Sequence, residues 1–374
     1  MKKLGRVIPS SMLPMKPKKA LIVRFCVGEN SPVRKFNNFS LNDENVFKFL
    51  ESFSFVKDEL IPKLIEKYHL QSGIFQLYAQ NETIEERNFK TFEFIEERIK
   101  MMTSNENTND PYFGGPLFLL DVDLSSPLQK LSLLPLFDVQ KAQQGILETK
   151  YTEIAKSRPL TIGFSDTTSV SLAHRGISKS SALFRACSIK NKKPEQTLVL
   201  DATTGLGKDS CILSLLGFNV ICCERHPLIS IMLKAALQRA RENGKFVNMK
   251  YLFEETDSRT LTVHSFTNLN LELPDVIYLD PMFTHVGSAL PKYELQVLRT
   301  VMSFLHFDES FETNTNYRET KSPFEASLVN WALNLGVKRV VMKRPKKSPI
   351  VQPDNLAFSY SDGGDIFYDL FQHF

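Results

Sequence analysis

Four short runs of β-branched and apolar residues constrain this chain more than anything else in it: TLVLD (197–201), NVICCE (219–224), DVIYLD (275–280) and VKRVVMK (337–343). Runs of that length, apolar almost throughout, suit parallel strands covered on both faces. Helical periodicity falls between and around them, at 208–216, 227–243, 289–305 and 323–335. The alternation predicts a doubly wound, Rossmann-like α/β sheet, whose ligands bind beyond the carboxyl ends of the strands. LTIGFS (160–165) precedes a helix candidate at Lys179 to Cys187, and DESFETNTNYRETKS (308–322) reads as a surface insertion.

Upstream, ALIVRFC (20–26) and IFQLYAQ (74–80) read as strands, with amphipathic helices expected from Asn42 to about Leu70 and over 84–102. The polar stretch TSNENTNDPY (103–112) is a natural linker. PLFLLDVDL (116–124) opens a second apolar segment. Three parts follow: an N-terminal α/β extension (1–110) in which no chemistry is evident, a lead-in subdomain (111–195), and a catalytic-type domain (196–374). With 374 residues the chain has room for two or more domains of roughly 150 residues each.

The net charge of +4, from 46 Lys and Arg against 42 Asp and Glu, excludes a histone-like polycation and leaves room for a local basic face. Five cysteines without a CxxC pair give neither a disulfide framework nor a zinc site. Pro9, Pro14 and Pro17 interrupt the lysine-bearing N-terminus, and no apolar run reaches the roughly 18 residues a membrane span needs. A soluble, cytoplasmic protein that binds no metal is expected.

The first strand runs into DATTGLGKDS (201–210). Gly205 and Gly207 leave backbone N–H groups approachable at a helix N-terminus, which is how nucleotide-like cofactors are held. A dinucleotide fingerprint requires a third small residue where Ser210 stands, and Asp201 ahead of the turn would crowd a pyrophosphate. Acidic groups at two strand ends, Asp201 and, 23 residues later, Glu224, suit a cationic nucleoside such as S-adenosylmethionine instead, with Glu224 facing the ribose hydroxyls. The plainer alternative is that both carboxylates only cap the helices that follow. Asp257 and Ser258 follow another apolar stretch and are candidates for the adenine edge or for an ordinary turn.

A second motif, LDPMFTH (279–285), ends the strand DVIYLD. An exocyclic base amine is a poor nucleophile, because its lone pair is delocalised into the ring. Two acceptors on its hydrogens redirect the lone pair and stabilise the charge that develops. The Asp280 carboxylate and the Pro281 carbonyl are candidates for those acceptors, and Phe283 for stacking on a flipped base. His285 just beyond is a candidate proton acceptor or a plain loop histidine.

Together these segments resemble the class I S-adenosylmethionine-dependent methyltransferases, and within them the ribosomal RNA small subunit methyltransferase J family. AHR (173–175), DATTGLGKD (201–209) with ERHP (224–227), YLDPMF (278–283) with SAL (288–290), and KRVVMKRP (338–345) with FYDLF (367–371) carry the likeness, which covers about two-thirds of the chain. The resemblance implies transfer of a methyl group from S-adenosylmethionine to the N2 amine of a guanosine in small-subunit (16S) rRNA, free or in the assembled subunit. It also implies that Lys208, Asp209, Glu224, Arg225, Asp257, Ser258 and Asp280 contact the cofactor. GISKSS (176–181) replaces the glycine-rich basic run expected after AHR, and residues 1–110 have no counterpart.

Lys343, Arg344, Lys346 and Lys347 follow the last strand on the substrate edge, with His174, Arg175 and Lys179 expected nearby, and are candidates for rRNA phosphate contacts. Competing readings keep the fold and change the role: a methyltransferase of another RNA, a protein or a small-molecule amine, or a non-catalytic RNA-binding assembly factor. A nicotinamide-dependent dehydrogenase is disfavoured by Ser210 and Asp201.

Overall fold

A computed structural model of the chain describes residues 8–9, 21–27, 77–79, 118–123, 130–135, 146–147, 159–164, 178–242, 244, 248–281, 293–304, 323–351 and 353–372. The chain divides into two compact units, one of Met1–Thr161 with Pro291–Ser310, the other of Ile162–Leu290 with Phe311–Phe374. The expected helices at 42–70 and 84–102, the linker at 103–112 and the insertion at 308–322 lie outside the described residues.

In the first unit, β1 (Ile8–Pro9) pairs with β6 (Ile146–Leu147). A five-stranded sheet runs β3-β2-β4-β5-β7, built from β2 (Leu21–Val27), β3 (Leu77–Ala79), β4 (Phe118–Asp123), β5 (Lys130–Pro135) and β7 (Leu160–Thr161). Strand β2 lies parallel to β4 from Leu21 opposite Phe118 to Cys26 opposite Asp123. The extension and the lead-in segment therefore share one sheet. Leu120, Val122, Leu131 and Leu133 form its buried side. The helix Tyr293–Phe304 also belongs to this unit and buries Val297 and Val301, four residues apart on one face.

The second unit holds the predicted doubly wound sheet. Its strands are β8 (Leu198–Asp201), β9 (Asn219–Glu224), β10 (Met249–Glu254), β11 (Val276–Leu279), β12 (Arg339–Pro345), β13 (Leu356–Ser361) and β14 (Ile366–Phe371), in the order β10-β9-β8-β11-β12-β14-β13. The first five are mutually parallel, and β14 is antiparallel to both its neighbours. Counted in chain order the arrangement is 3-2-1-4-5-7-6, so the winding reverses between β8 and β11. That switch point opens a crevice at the carboxyl ends of those two strands. Asp201 ends β8 and lies opposite Tyr278 of β11, two residues before Asp280.

The expected strands and helices of this unit are found within a few residues of their predicted limits. Lys208–Leu215, Pro227–Glu242 and Pro323–Asn334 are helical, and so is Ala182–Cys187. Pro227 occupies the first helical position, where its missing N–H has no helical acceptor to lose. That helix buries Leu228, Ile229, Met232, Leu233, Ala236 and Ala240, an apolar stripe laid on the sheet. Leu200, Ile221, Ile277, Val340 and Met342 are fully buried beneath helix Pro323–Asn334, whose Leu328, Val329 and Ala332 join them. Among the described side chains, Cys187, Cys211, Cys222 and Cys223 are buried free thiols. No helix among the described residues is long and apolar enough to cross a membrane.

Candidate active site

The turn after β8 is laced to the strands on both sides of it. The Ala202 N–H donates to the Tyr278 carbonyl of β11 at 2.9 Å, and the Thr204 N–H to the Cys223 carbonyl of β9 at 3.1 Å. The Thr204 hydroxyl donates to the Asp201 carbonyl and accepts the Cys223 N–H, both at 2.9 Å. Gly205 and Gly207 then turn with φ of +54° and +71°, the left-handed region in which a Cβ is costly. At Gly207 a Cβ would also lie 2.8 Å from the Phe164 ring and 2.9 Å from Leu233, so both conformation and space demand glycine there. Helix Lys208–Leu215 begins immediately after.

Glu224, at the end of β9, is buried and reaches into this turn. One of its carboxylate oxygens accepts the Gly205 N–H at 2.7 Å and the other the His226 N–H at 2.7 Å. Burial raises its pKa, against these hydrogen bonds. The Arg225 N–H and its guanidinium charge also favour the ionised carboxylate. Asp257 caps a short 3-10 turn and is held by Arg259, whose guanidinium meets both its oxygens. Burial acts to raise its pKa, but the Arg259 bonds outweigh that and hold it low. Ser258 beside it is buried. Arg225 and Arg259 both stand 4.9 Å from the ring of Phe324.

The second turn, Asp280–Pro281, follows β11. Its first N–H is fixed by the cofactor-type turn, since the Asp280 amide donates to the Thr203 hydroxyl at 2.6 Å. Lys343 of β12 donates to Asp280 Oδ2 at 2.9 Å and to Asp209 Oδ2 at 2.6 Å. Tyr278 donates its hydroxyl to the same Asp209 oxygen at 2.5 Å. Burial and the nearby Asp209 push the Asp280 carboxyl up to about 6, with Lys343 opposing them. Burial also acts to raise Asp209, but Lys343 prevails and holds it below the usual carboxylate range.

Three expectations differ from this geometry. Lys343 is not on an exposed basic edge, because its ammonium lies between Asp209 and Asp280. The Asp201 carboxylate is committed to hydrogen bonds within the fold. It is 2% exposed, accepts the Ser210 hydroxyl at 2.5 Å and the Thr203 N–H at 3.3 Å, and burial pushes it up to about 7. Arg344 does not lie on a basic edge. It is 5% exposed, with its guanidinium bonded to Asp369 at 2.5 and 3.2 Å and to the Ser348 carbonyl at 2.8 Å. The reason is the place of β12 between β11 and β14. Both faces of such a strand are covered, so successive residues 343 and 344 turn inward on opposite sides. Lys346 and Lys347, beyond the strand, are exposed. Lys208 is exposed at the start of its helix. His174, Arg175, Phe283 and His285 lie outside the described residues. Thr203, Tyr278 and the inward role of Lys343 were missed in the sequence.

The residues at the two turns fit S-adenosylmethionine better than a phosphate-bearing cofactor. Asp209 and Asp280 flank the Lys343 ammonium, and Asp201 and Glu224 end the neighbouring strands β8 and β9. Such a field favours a ligand with ammonium and sulfonium charges and repels a pyrophosphate. The buried Glu224 is a carboxylate acceptor at the end of β9, and the two positive-φ glycines lie beside it in the turn. Among the described residues no cluster of side chains is arranged to hold a metal ion.

A 3-2-1-4-5-7-6 sheet with a glycine turn after its first strand and an Asp-Pro turn after its fourth defines a class I S-adenosylmethionine-dependent methyltransferase. A family model described as a putative SAM-dependent methyltransferase matches residues 135–310. The chain is similar to ribosomal RNA small subunit methyltransferase J of Buchnera aphidicola, 31% identical over 202 residues, which span 53% of this chain and 73% of that protein. The protein of that name from Pasteurella multocida is 32% identical over 240 residues, 62% of this chain and 84% of its own. The chain belongs to the ribosomal RNA small subunit methyltransferase J family. Among solved structures, a SAM-dependent methyltransferase from Neisseria gonorrhoeae is 18% identical and covers 74% of this chain and 91% of its own, with a TM-score of 0.42.

Proposed function

We propose that this protein methylates the exocyclic N2 amine of a guanosine in small-subunit ribosomal RNA, acting in the cytoplasm where that RNA is found. The observation that carries the reading is the Asp280 turn, held by the Thr203 hydroxyl at the switch point beside the glycine turn. Bound S-adenosylmethionine would supply a methyl group made electrophilic by its sulfonium.

Glu224 would hold the ribose hydroxyls, with Gly205, Gly207, Lys208, Asp209 and Arg225 shaping the rest of the cradle and Asp257 and Ser258 the adenine edge. Asp201 serves this cradle from inside, by fixing Ser210 and Thr203. The Asp280 carboxylate accepts a hydrogen of the target amine and the Pro281 carbonyl the other, drawing the nitrogen lone pair out of conjugation. At neutral pH a carboxyl that titrates at about 6 is ionised and can accept. Phe283 would stack on the flipped base. The exposed Lys346 and Lys347 would meet rRNA phosphates, together with His174 and Arg175.

The test is methyl transfer itself, to small subunits lacking their native guanosine methylation, followed by digestion to nucleosides and mass spectrometry. N2-methylguanosine formed by the native chain and lost in Asp280→Ala is the expected result. Cofactor binding without any modified guanosine would overturn the choice of substrate.

A further inference from the structure

The Lys343 ammonium sits where an rRNA-binding lysine has no use. It is turned into the second unit, with its side chain 22% exposed, and spans two carboxylates that belong to different chain segments. Asp209 stands in the first turn of the helix that follows the glycines, and Asp280 opens the acceptor turn. The same lysine therefore ties the cradle to the acceptor. It engages one named oxygen of Asp280, Oδ2. The backbone of that residue is fixed independently, through Thr203. With one oxygen on Lys343 and the amide on Thr203, the carboxylate has little freedom to rotate.

We propose that Lys343 is a positioning residue for the acceptor carboxylate: its ammonium, clamped by Asp209, orients Asp280 and keeps it in the ionised form that can accept a hydrogen. The inference rests on the reading of Asp280 given under Proposed function. The charged and titratable groups that face Asp280 come from every element around it: Lys343 of β12, Asp209 of helix Lys208–Leu215, Asp201 of β8, Tyr278 of β11, and Tyr368 of β14, which lies opposite Lys343 in register. Lys343 is the cation among them. The carboxylates and burial all favour the protonated acid. Lys343 itself is held well above its ordinary pKa, because Asp209 and Asp280 outweigh the cost of burying it, so it stays charged across the working range.

A positioning role of this kind is visible without any substrate. In the full chain labelled with 13C at aspartate carboxyls, the Asp280 resonance is identified by its loss in Asp280→Asn and followed by NMR from pH 5 to 9. Its midpoint in Lys343→Met is expected to rise by at least about one pH unit, and to return near the native value in Lys343→Arg. In single-turnover methyl transfer the acid limb should move the same way. The rate at pH 7 should fall by about twofold for a one-unit rise and about tenfold for a two-unit rise, and largely recover at pH 9, with KM for the cofactor moving less than kcat. A midpoint and acid limb that stay in place in a folded Lys343→Met overturn the proposal.

Should Lys343→Met fail to fold by circular dichroism, Lys343→Gln, uncharged but still polar, asks the same question. Its Asp280 midpoint should rise in the same way, and a midpoint that stays in place in the folded variant overturns the proposal. If the midpoints move as expected while native chain forms no methylguanosine, the coupling of Lys343 to Asp280 stands and the reading of the reaction falls.

Discussion

The hydroxyl of Thr203 accepts the backbone N–H of Asp280 at 2.6 Å across 77 residues of chain. It joins the turn that follows β8 to the turn that follows β11, so the two halves of the site are positioned by one hydrogen bond as well as by the sheet beneath them. Replacing Thr203 by valine keeps the shape and leaves that amide unsatisfied, at a cost of about 1–3 kcal/mol. The expected outcome is a kcat lowered by about tenfold or more with cofactor affinity nearly unchanged, read by single-turnover rates alongside cofactor titration.

Glu224 takes backbone donors from Gly205, His226 and Arg225, and is the group proposed to face the ribose. Glu224→Gln removes the charge and one acceptor. Hydrogen bonds to charged groups are worth about 1.5–3 kcal/mol, so cofactor affinity should weaken by roughly 10- to 100-fold in calorimetric titration.

At Gly207 the space for a side chain is filled by Phe164 and Leu233, and φ is +71°. Gly207→Ala should destabilise the second unit by about 1–3 kcal/mol through strain and overpacking. Denaturant unfolding measures it. Adding Phe164→Leu, which removes the ring in the way, should recover part of the loss and leave the part due to backbone strain.

Asp201 gives a stability that runs against the usual trend of a carboxylate with pH. Its folded pKa of about 7 lies above the ordinary value of about 3.9, so the folded state holds this proton longer than the unfolded chain does. Its contribution is therefore most favourable below about pH 4 and is lost as pH rises through 7. Asp201→Asn keeps an acceptor for Thr203 and turns a donor toward Ser210. The variant should gain stability relative to the native chain between pH 5 and pH 8, on the order of a few kcal/mol, as judged by urea unfolding at the two pH values.

The two ends of the basic stretch should separate cleanly. Arg344→Met leaves Asp369 buried without its ion-pair partner and should cost about 3–5 kcal/mol of stability. Lys346→Gln with Lys347→Gln should leave the melting temperature in place and weaken rRNA binding. The slope of log affinity against log salt would fall by about 0.7–0.9 for each phosphate no longer neutralised. Thermal melting checks the first expectation, and filter binding across a salt series the second.

Why some of this was readable and some was not follows from the distances involved. TLVLD, NVICCE, DVIYLD and VKRVVMK announced themselves because both faces of a central parallel strand are apolar. LAFSYS (356–361) escaped notice because an edge strand alternates polar and aromatic residues and looks like loop. The glycine turn and the Asp-Pro turn are local and carry their chemistry in a few consecutive residues. Lys343 is legible only as half of a basic pair, since its partners Asp209 and Asp280 lie 134 and 63 residues away. Arg344 misleads for the same reason, its carboxylate lying 25 residues downstream on β14.

The strand order also fixes when the site can exist. Strand β11 has β8 on one side and waits for β12 on the other, and β12 ends at Pro345. A nascent chain that has not yet delivered residue 343 carries the acceptor turn on an open strand edge, with its carbonyl and amide groups unpaired. Completion of the sheet and arrival of the lysine that holds Asp280 are then the same event, so a chain cut short before β12 is neither closed nor armed.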